Sequence, residues 1–173
     1  MSLSSWFKGL FNKKRKKERA PTVPIEIPAD ETKPMWFELA RDEIGVKEAI
    51  GPLNNPRIVE YHRATSLHAT KDSVPWCASF VSSMLESCKI NSTRSARARS
   101  YEHWGVELDE PRLGCIVVFY RGSKRSGKGH VGFYAGERGG KILVLGGNQG
   151  DAVNVSPYSK KRLLSYRWPN MIK

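Results

Sequence analysis

The spacing of apolar residues changes period near residue 114, and that change leaves few architectures open to this chain. Before it, the spacing is helical. Trp36, Phe37, Leu39, Ala40 and Ile44 form a stripe that ends near Gly45, and residues 54–62 read as a second short helix entered through Asn-Asn-Pro. A third helix starts close to Cys77, with Val81, Met84, Leu85 and Cys88 spaced i, i+3, i+4 and i+7. After Gly114 the continuous apolar run 116–120 reads as a strand covered on both faces. Residues 130–135, 142–146, 153–158 and 163–168 are further strands between Gly-, Ser- and Lys-rich turns. Helices followed by strands is an α+β order, and connections this short imply an antiparallel sheet of about five strands.

Residues 34–173 are expected to form this one domain, and residues 1–33 a separate tail. Trp6, Phe7, Leu10 and Phe11 gather on one side of a short helix, the run Lys13-Lys14-Arg15-Lys16-Lys17 follows, and Pro21, Pro24 and Pro28 favour an extended linker. Three readings of the tail stay open. It could anchor at an anionic membrane surface or dock on a virion component, with about 1 kcal/mol per basic residue near lipid. It could be an arm on nucleic acid, a weaker fit because basic and aromatic residues here form separate blocks. It could simply solubilise the chain. The formal net charge of +12 favours polyanions of any of these kinds.

The chain has no apolar stretch of about 20 residues and no apolar core of a signal peptide at its start. The expectation is synthesis in the cytoplasm and delivery by another route if the target lies outside. Three cysteines, at 77, 88 and 115, are odd in number and lack CxxC spacing, which argues against a disulfide framework and a structural zinc site.

One of these thiols stands apart. In Val74-Pro75-Trp76-Cys77-Ala78-Ser79-Phe80-Val81 the proline stops any incoming helix, so Cys77 falls in the first turn of the next one. The unpaired N–H groups there favour a thiolate, and the spacing to Val81 and Leu85 aims the sulfur at the sheet. Cys88 and Cys115 read as small buried hydrophobes.

A cysteine nucleophile needs a base, and the base an orienting partner. His62, His68 and His103 lie in helical or loop stretches and read as structural or surface residues. His130 follows a Gly-, Ser- and Lys-rich loop and opens a strand. A hairpin centred on Gly139 sets residue 130 opposite residue 148, so the Asn148 carboxamide could take one imidazole nitrogen and leave the other for Cys77. Gln149 and Asp151 are the nearer substitutes, and a turn-forming Asn148 is the bland alternative.

The segments around Cys77, Gly129-His130-Val131-Gly132-Phe133-Tyr134 and Leu145-Gly146-Gly147-Asn148-Gln149 resemble the nucleophile, base and third-residue segments of CHAP-like peptidoglycan hydrolases. Further matches to a phage and prophage branch run from Leu39-Ala40 and Gly45-Val46-Lys47-Glu48 to Tyr166-Arg167-Trp168-Pro169. The resemblance spans about residues 34–170 and implies a papain-like fold. It also implies cleavage of a peptidoglycan amide by Cys77, with His130 moving the proton and Asn148 orienting His130. Trp76 would pack beside the nucleophile, Gln149 would support the site, and no cofactor or metal is required. The enzyme would be a cysteine endopeptidase or an N-acetylmuramoyl-L-alanine amidase, phage-lytic in role and acting at the cell wall. A virion or membrane-associated protein with this fold and little activity is the alternative, and acyltransferases share the fold. Cys115 stands where the family usually has an aspartate.

Overall fold

The computed structural model describes residues 33–170. The tail expected over residues 1–33 therefore lies outside the described residues, apart from Lys33.

Three helices come first: α1 (Met35–Asp42), α2 (Pro56–His62) and α3 (Cys77–Ser87). Asn55 caps α2 by accepting the Arg57 amide at 2.9 Å, and Pro56 occupies the first turn, where its missing N–H costs nothing. The end of α1 is tied to α2 by Glu43, which accepts from the Arg57 guanidinium and from the Tyr61 hydroxyl. Burial would raise the Glu43 carboxyl, but these two partners hold it below its usual range. Between the helices, the Asp72 carboxylate accepts the amides of Ala49 and Asn55, each at 2.8 Å, and so fixes the loop that carries Glu48.

The strands are β1 (Val106–Leu108), β2 (Ile116–Tyr120), β3 (Gly129–Arg138), β4 (Lys141–Gly146), β5 (Asn154–Ser159) and β6 (Leu163–Trp168). Among the described residues they form one antiparallel sheet in the order β1-β6-β2-β3-β4-β5. The expectation of helices on an antiparallel sheet matches this α+β architecture. Three elements were not anticipated, among them a 3-10 turn at Lys160–Arg162 between β5 and β6. Strand β1 has only three residues, too few for an alternating pattern, and pairs with β6. A 3-10 turn at Ala98–His103 buries Ala98 and Tyr101.

The sheet divides the interior in two. On the helix side, Trp76, Phe80, Val81, Met84 and Leu85 pack against Ile116, Val118, Val131, Phe133 and Leu145. Each such side chain contributes about 1.5–3 kcal/mol by leaving water. The other face carries Cys115, Val117, Phe119, Ile142, Val144 and Tyr166. There Tyr158 of the edge strand β5 stacks on Phe119 of β2 and on His130 of β3, at 4.9 Å between ring centroids in both cases. An edge strand reaching back over β2 and β3 requires a strongly curled sheet. Burial on this face pushes the Cys115 thiol up to about 12.

Candidate active site

Helix α3 sets Cys77 in its first turn, as the proline two residues earlier requires. Cys77 is 6 % exposed and joins the helix-side core. The sulfur lies against the backbone amides of Val131, Ala78 and Cys77 itself. It therefore sits one residue from His130 along β3. Burial pushes the thiol up, while the Arg121 charge and those amides pull it down; burial prevails. This corrects the expected thiolate. A helix N-terminus supplies only partial charge, and burial of the sulfur outweighs it.

Trp76 packs beside Cys77, fully buried among Tyr61 and Phe80. Its indole N–H donates to Glu48 Oε1 at 2.8 Å, and the same oxygen accepts from Asn148 Nδ2 at 3.0 Å. Glu48 thus joins the segment before the nucleophile to the turn after β4. That turn lies tight on the indole: a Cβ at Gly147 would stand 2.4 Å from Trp76 Cζ3, so no side chain is tolerated there.

Strand β3 presents His130 opposite Phe119, its ring stacked on Tyr158, and its side chain is completely buried. The hairpin with β4 turns at Gly139 and Gly140, both in the left-handed region. An irregularity between Tyr134 and Gly136 then shifts the register, so that Phe133 pairs with Leu145 and Tyr134 with Val144. That is the register expected from the sequence. The consequence drawn from it for Asn148 does not hold. Strand β4 ends at Gly146, and Asn148 has φ 56°, which breaks the alternation and turns its carboxamide to Glu48. Asn148 is the turn residue that was its bland alternative.

Gln149 meets the imidazole instead, with Oε1 3.0 Å from His130 Nε2. Its amide nitrogen donates to the carbonyl of Val144 at 3.2 Å, the carbonyl of Asn154 at 2.7 Å and Asn154 Oδ1 at 3.1 Å. Three acceptors around the nitrogen fix the carboxamide's orientation, so the oxygen must face the ring. It follows that His130 Nε2 carries the proton and donates to Gln149, and that Nδ1 is the bare nitrogen. Asn154 is itself held: its Nδ2 donates to the Gln149 carbonyl at 2.6 Å, and Ser156 Oγ donates to its Oδ1 at 2.6 Å.

At Nδ1 the partner is Arg121, whose guanidinium donates at 3.1 Å. Neither ring nitrogen is bonded to the Cys77 sulfur among the described residues. Arg121 also acts on the neighbouring Tyr158, and its charge acts on Cys77. Burial, then the Arg121 charge, push His130 down to about 3, against the pull of the Gln149 bond. The resting pair is a neutral thiol and a neutral imidazole, with the Arg121 guanidinium on the imidazole Nδ1.

The other histidines stay apart from this group. His62 is buried with Nδ1 3.0 Å from Ser79 Oγ, while His68 and His103 are exposed. Glu137, too far along the strand to reach His130, pairs with Lys160. No three His, Cys, Asp or Glu side chains cluster as a metal site would need, among the described residues. Sequence reasoning missed Glu48, Arg121 and Tyr158. Arg121 had a readable signal: it directly follows the strand that pairs with the histidine's own.

Residues 69–148, somewhat under half of the chain, match the family model described as the CHAP domain. The matched segment runs from just before the helix of Cys77 to Asn148, one residue short of Gln149. No curated protein and no solved structure matches the chain.

Proposed function

We propose, for a chain that carries a CHAP domain, a cysteine-dependent peptidoglycan hydrolase domain of phage and bacterial proteins, that it cleaves an amide bond in the stem peptide of the cell wall. In this reading Cys77 is the nucleophile, His130 the proton carrier and Gln149 the residue that positions His130. One observation carries it: Gln149 holds Nε2 of a buried histidine and leaves Nδ1 bare, one residue from the amide that lies on the Cys77 sulfur.

The chemistry follows from a neutral pair. The Cys77 sulfur attacks the amide carbon as its proton passes to Nδ1 of His130. An S–C bond forms and the carbonyl oxygen becomes an oxyanion, for which the N–H groups in the first turn of α3 are the donors. Collapse breaks the C–N bond, and the imidazolium gives its proton to the leaving amine. Water then adds to the thioester with its proton going to Nδ1, and the departing thiolate takes that proton back. A histidine with a depressed pKa accepts a proton poorly, so the imidazolium has to be stabilised during attack. The Gln149 oxygen does this on the Nε2 side.

The activity assigned is that of a lytic cysteine endopeptidase or amidase working at the wall, with the net charge of +12 helping it stay on an anionic polymer. Residues 1–33 serve in this reading as a basic anchor. Removing them should reduce binding to vesicles of anionic lipid without reducing hydrolysis of soluble fragments.

The deciding experiment is digestion of purified peptidoglycan by the full chain and by Cys77→Ala, followed by mass spectrometry of the fragments. New amino termini within the stem peptide mark an endopeptidase, and a free L-alanine terminus released from the sugar marks an amidase. Equal digestion by Cys77→Ala would remove the nucleophile assignment.

A further inference from the structure

Arg121 has no role in the chemistry just described, yet it touches the base. Its guanidinium donates to the one imidazole nitrogen that could receive the Cys77 proton. An arginine does not deprotonate in proteins and cannot accept that proton itself. While the contact lasts, the lone pair of Nδ1 is occupied and attack by the thiol has no base. The guanidinium has to leave Nδ1 before every turnover.

Three features say what draws it away. Arg121 has no carboxylate in ion-pair range among the described residues, so its charge is unmatched by any side chain beside it. Its neighbours carry the same sign: Lys124, Arg125 and Lys128 are exposed in the loop that follows it. Beside it, Tyr158, which stacks on His130, lines a groove of about 520 Å³ with Tyr120, Lys161 and Arg162. An open groove with cationic walls, next to a guanidinium bonded to a neutral imidazole, fits an anion.

We infer that Arg121 is a specificity-determining residue that binds a free carboxylate of the substrate's stem peptide and, in doing so, releases Nδ1 of His130 for the Cys77 proton. The planar guanidinium accepts a carboxylate in two parallel hydrogen bonds, a better partner than one imidazole nitrogen. The same contact neutralises the charge that opposes protonation of His130. Recognition and activation are then one event, and the thiol stays unreactive until a carboxylate arrives.

This inference rests on the hydrolase reading above. Its test is hydrolysis of one synthetic stem peptide in two forms, with its carboxylates free or converted to primary amides, by the full chain, Arg121→Ala and Arg121→Lys. The unchanged chain should prefer the free form by about 10- to 100-fold in kcat/KM, the range expected for hydrogen bonds to a charged group. Arg121→Ala should lose that preference and hydrolyse the amidated form at least as fast as the unchanged chain does. Arg121→Lys should keep a reduced preference, since an ammonium keeps the charge and loses the fork. If Arg121→Ala keeps the full preference, or the unchanged chain treats both forms alike, the role of Arg121 is overturned and the hydrolase reading stands. If the unchanged chain cleaves neither form nor purified peptidoglycan, both fall.

Discussion

The two nitrogens of the His130 ring meet opposite surroundings. On the Nε2 side stands a closed set of neutral groups, Gln149, Asn154 and Ser156, each fixed by the next and each at least half-buried. On the Nδ1 side stands a single hydrogen bond from an arginine on an exposed loop. The difference teaches how a buried base can be both held and released. Nε2 is gripped by a carboxamide that has no freedom to turn, because every hydrogen of its nitrogen is already engaged. Nδ1 is covered by a long cationic side chain that has other places to go, since such chains keep their charge in water while their stems pack.

The sharpest way to break this contrast is on the held side. Gln149→Ala should lower kcat/KM on soluble peptidoglycan fragments by about 100-fold, the upper range for loss of an orienting partner. A drop confined to KM would show that Gln149 binds substrate rather than positions the ring.

Next in size is a pH effect on stability. His130 has an ordinary value of 6.5 and is pushed down to about 3 in the fold, so below 6.5 the unfolded chain binds a proton that the folded chain refuses. Stability from this group is complete above 6.5 and is lost as pH falls towards 3. Between pH 6.5 and 4.5 the unchanged chain should lose about 2 kcal/mol more than His130→Gln does, as read by urea unfolding at each pH. Burial of His62, which also pushes that histidine down, is common to both chains and cancels. Equal slopes would mean that the ring is not buried neutral.

Smaller effects come from Glu48, which serves the backbone around the site and not the ring. Glu48→Ala should cost about 1–3 kcal/mol in thermal or urea unfolding, because it strands the buried Trp76 N–H. Asn148→Ala should cost about 1 kcal/mol or less and should reduce kcat/KM far less than Gln149→Ala, since Asn148 reaches Glu48 and not His130. The reverse ranking of the two amides would restore Asn148 to the orienting role.

Much of this was legible in the sequence where one dimension suffices. The helical stripe placed α3 and put Cys77 in its first turn, since a proline and a 3.6-residue period act locally. Five of the six strands followed from apolar runs between turn residues. The register near His130 agrees with a hairpin centred on Gly139, but it does so through the irregularity between Tyr134 and Gly136, which shifts the pairing set at the tip. Legibility failed where a single backbone angle decides the outcome. Asn148 in the left-handed region ends the alternation that would have faced it to His130, and Asn tolerates that region better than most residues, so composition alone leaves both outcomes open. Arg121 and Tyr158 were missed for another reason. Their importance comes from a curled sheet that brings β5 over β2 and β3, a contact between strands that no local pattern encodes. The protonation of Cys77 went astray because a helix terminus is visible in a sequence and the depth of burial is not.

The account turns on which nitrogen of His130 carries the proton, and nitrogen NMR of the histidine-labelled full chain reads this directly. At neutral pH the account predicts a neutral ring, with Nε2 protonated and Nδ1 bare, unchanged down to about pH 4. A ring protonated on Nδ1, or an imidazolium present at neutral pH, would contradict it.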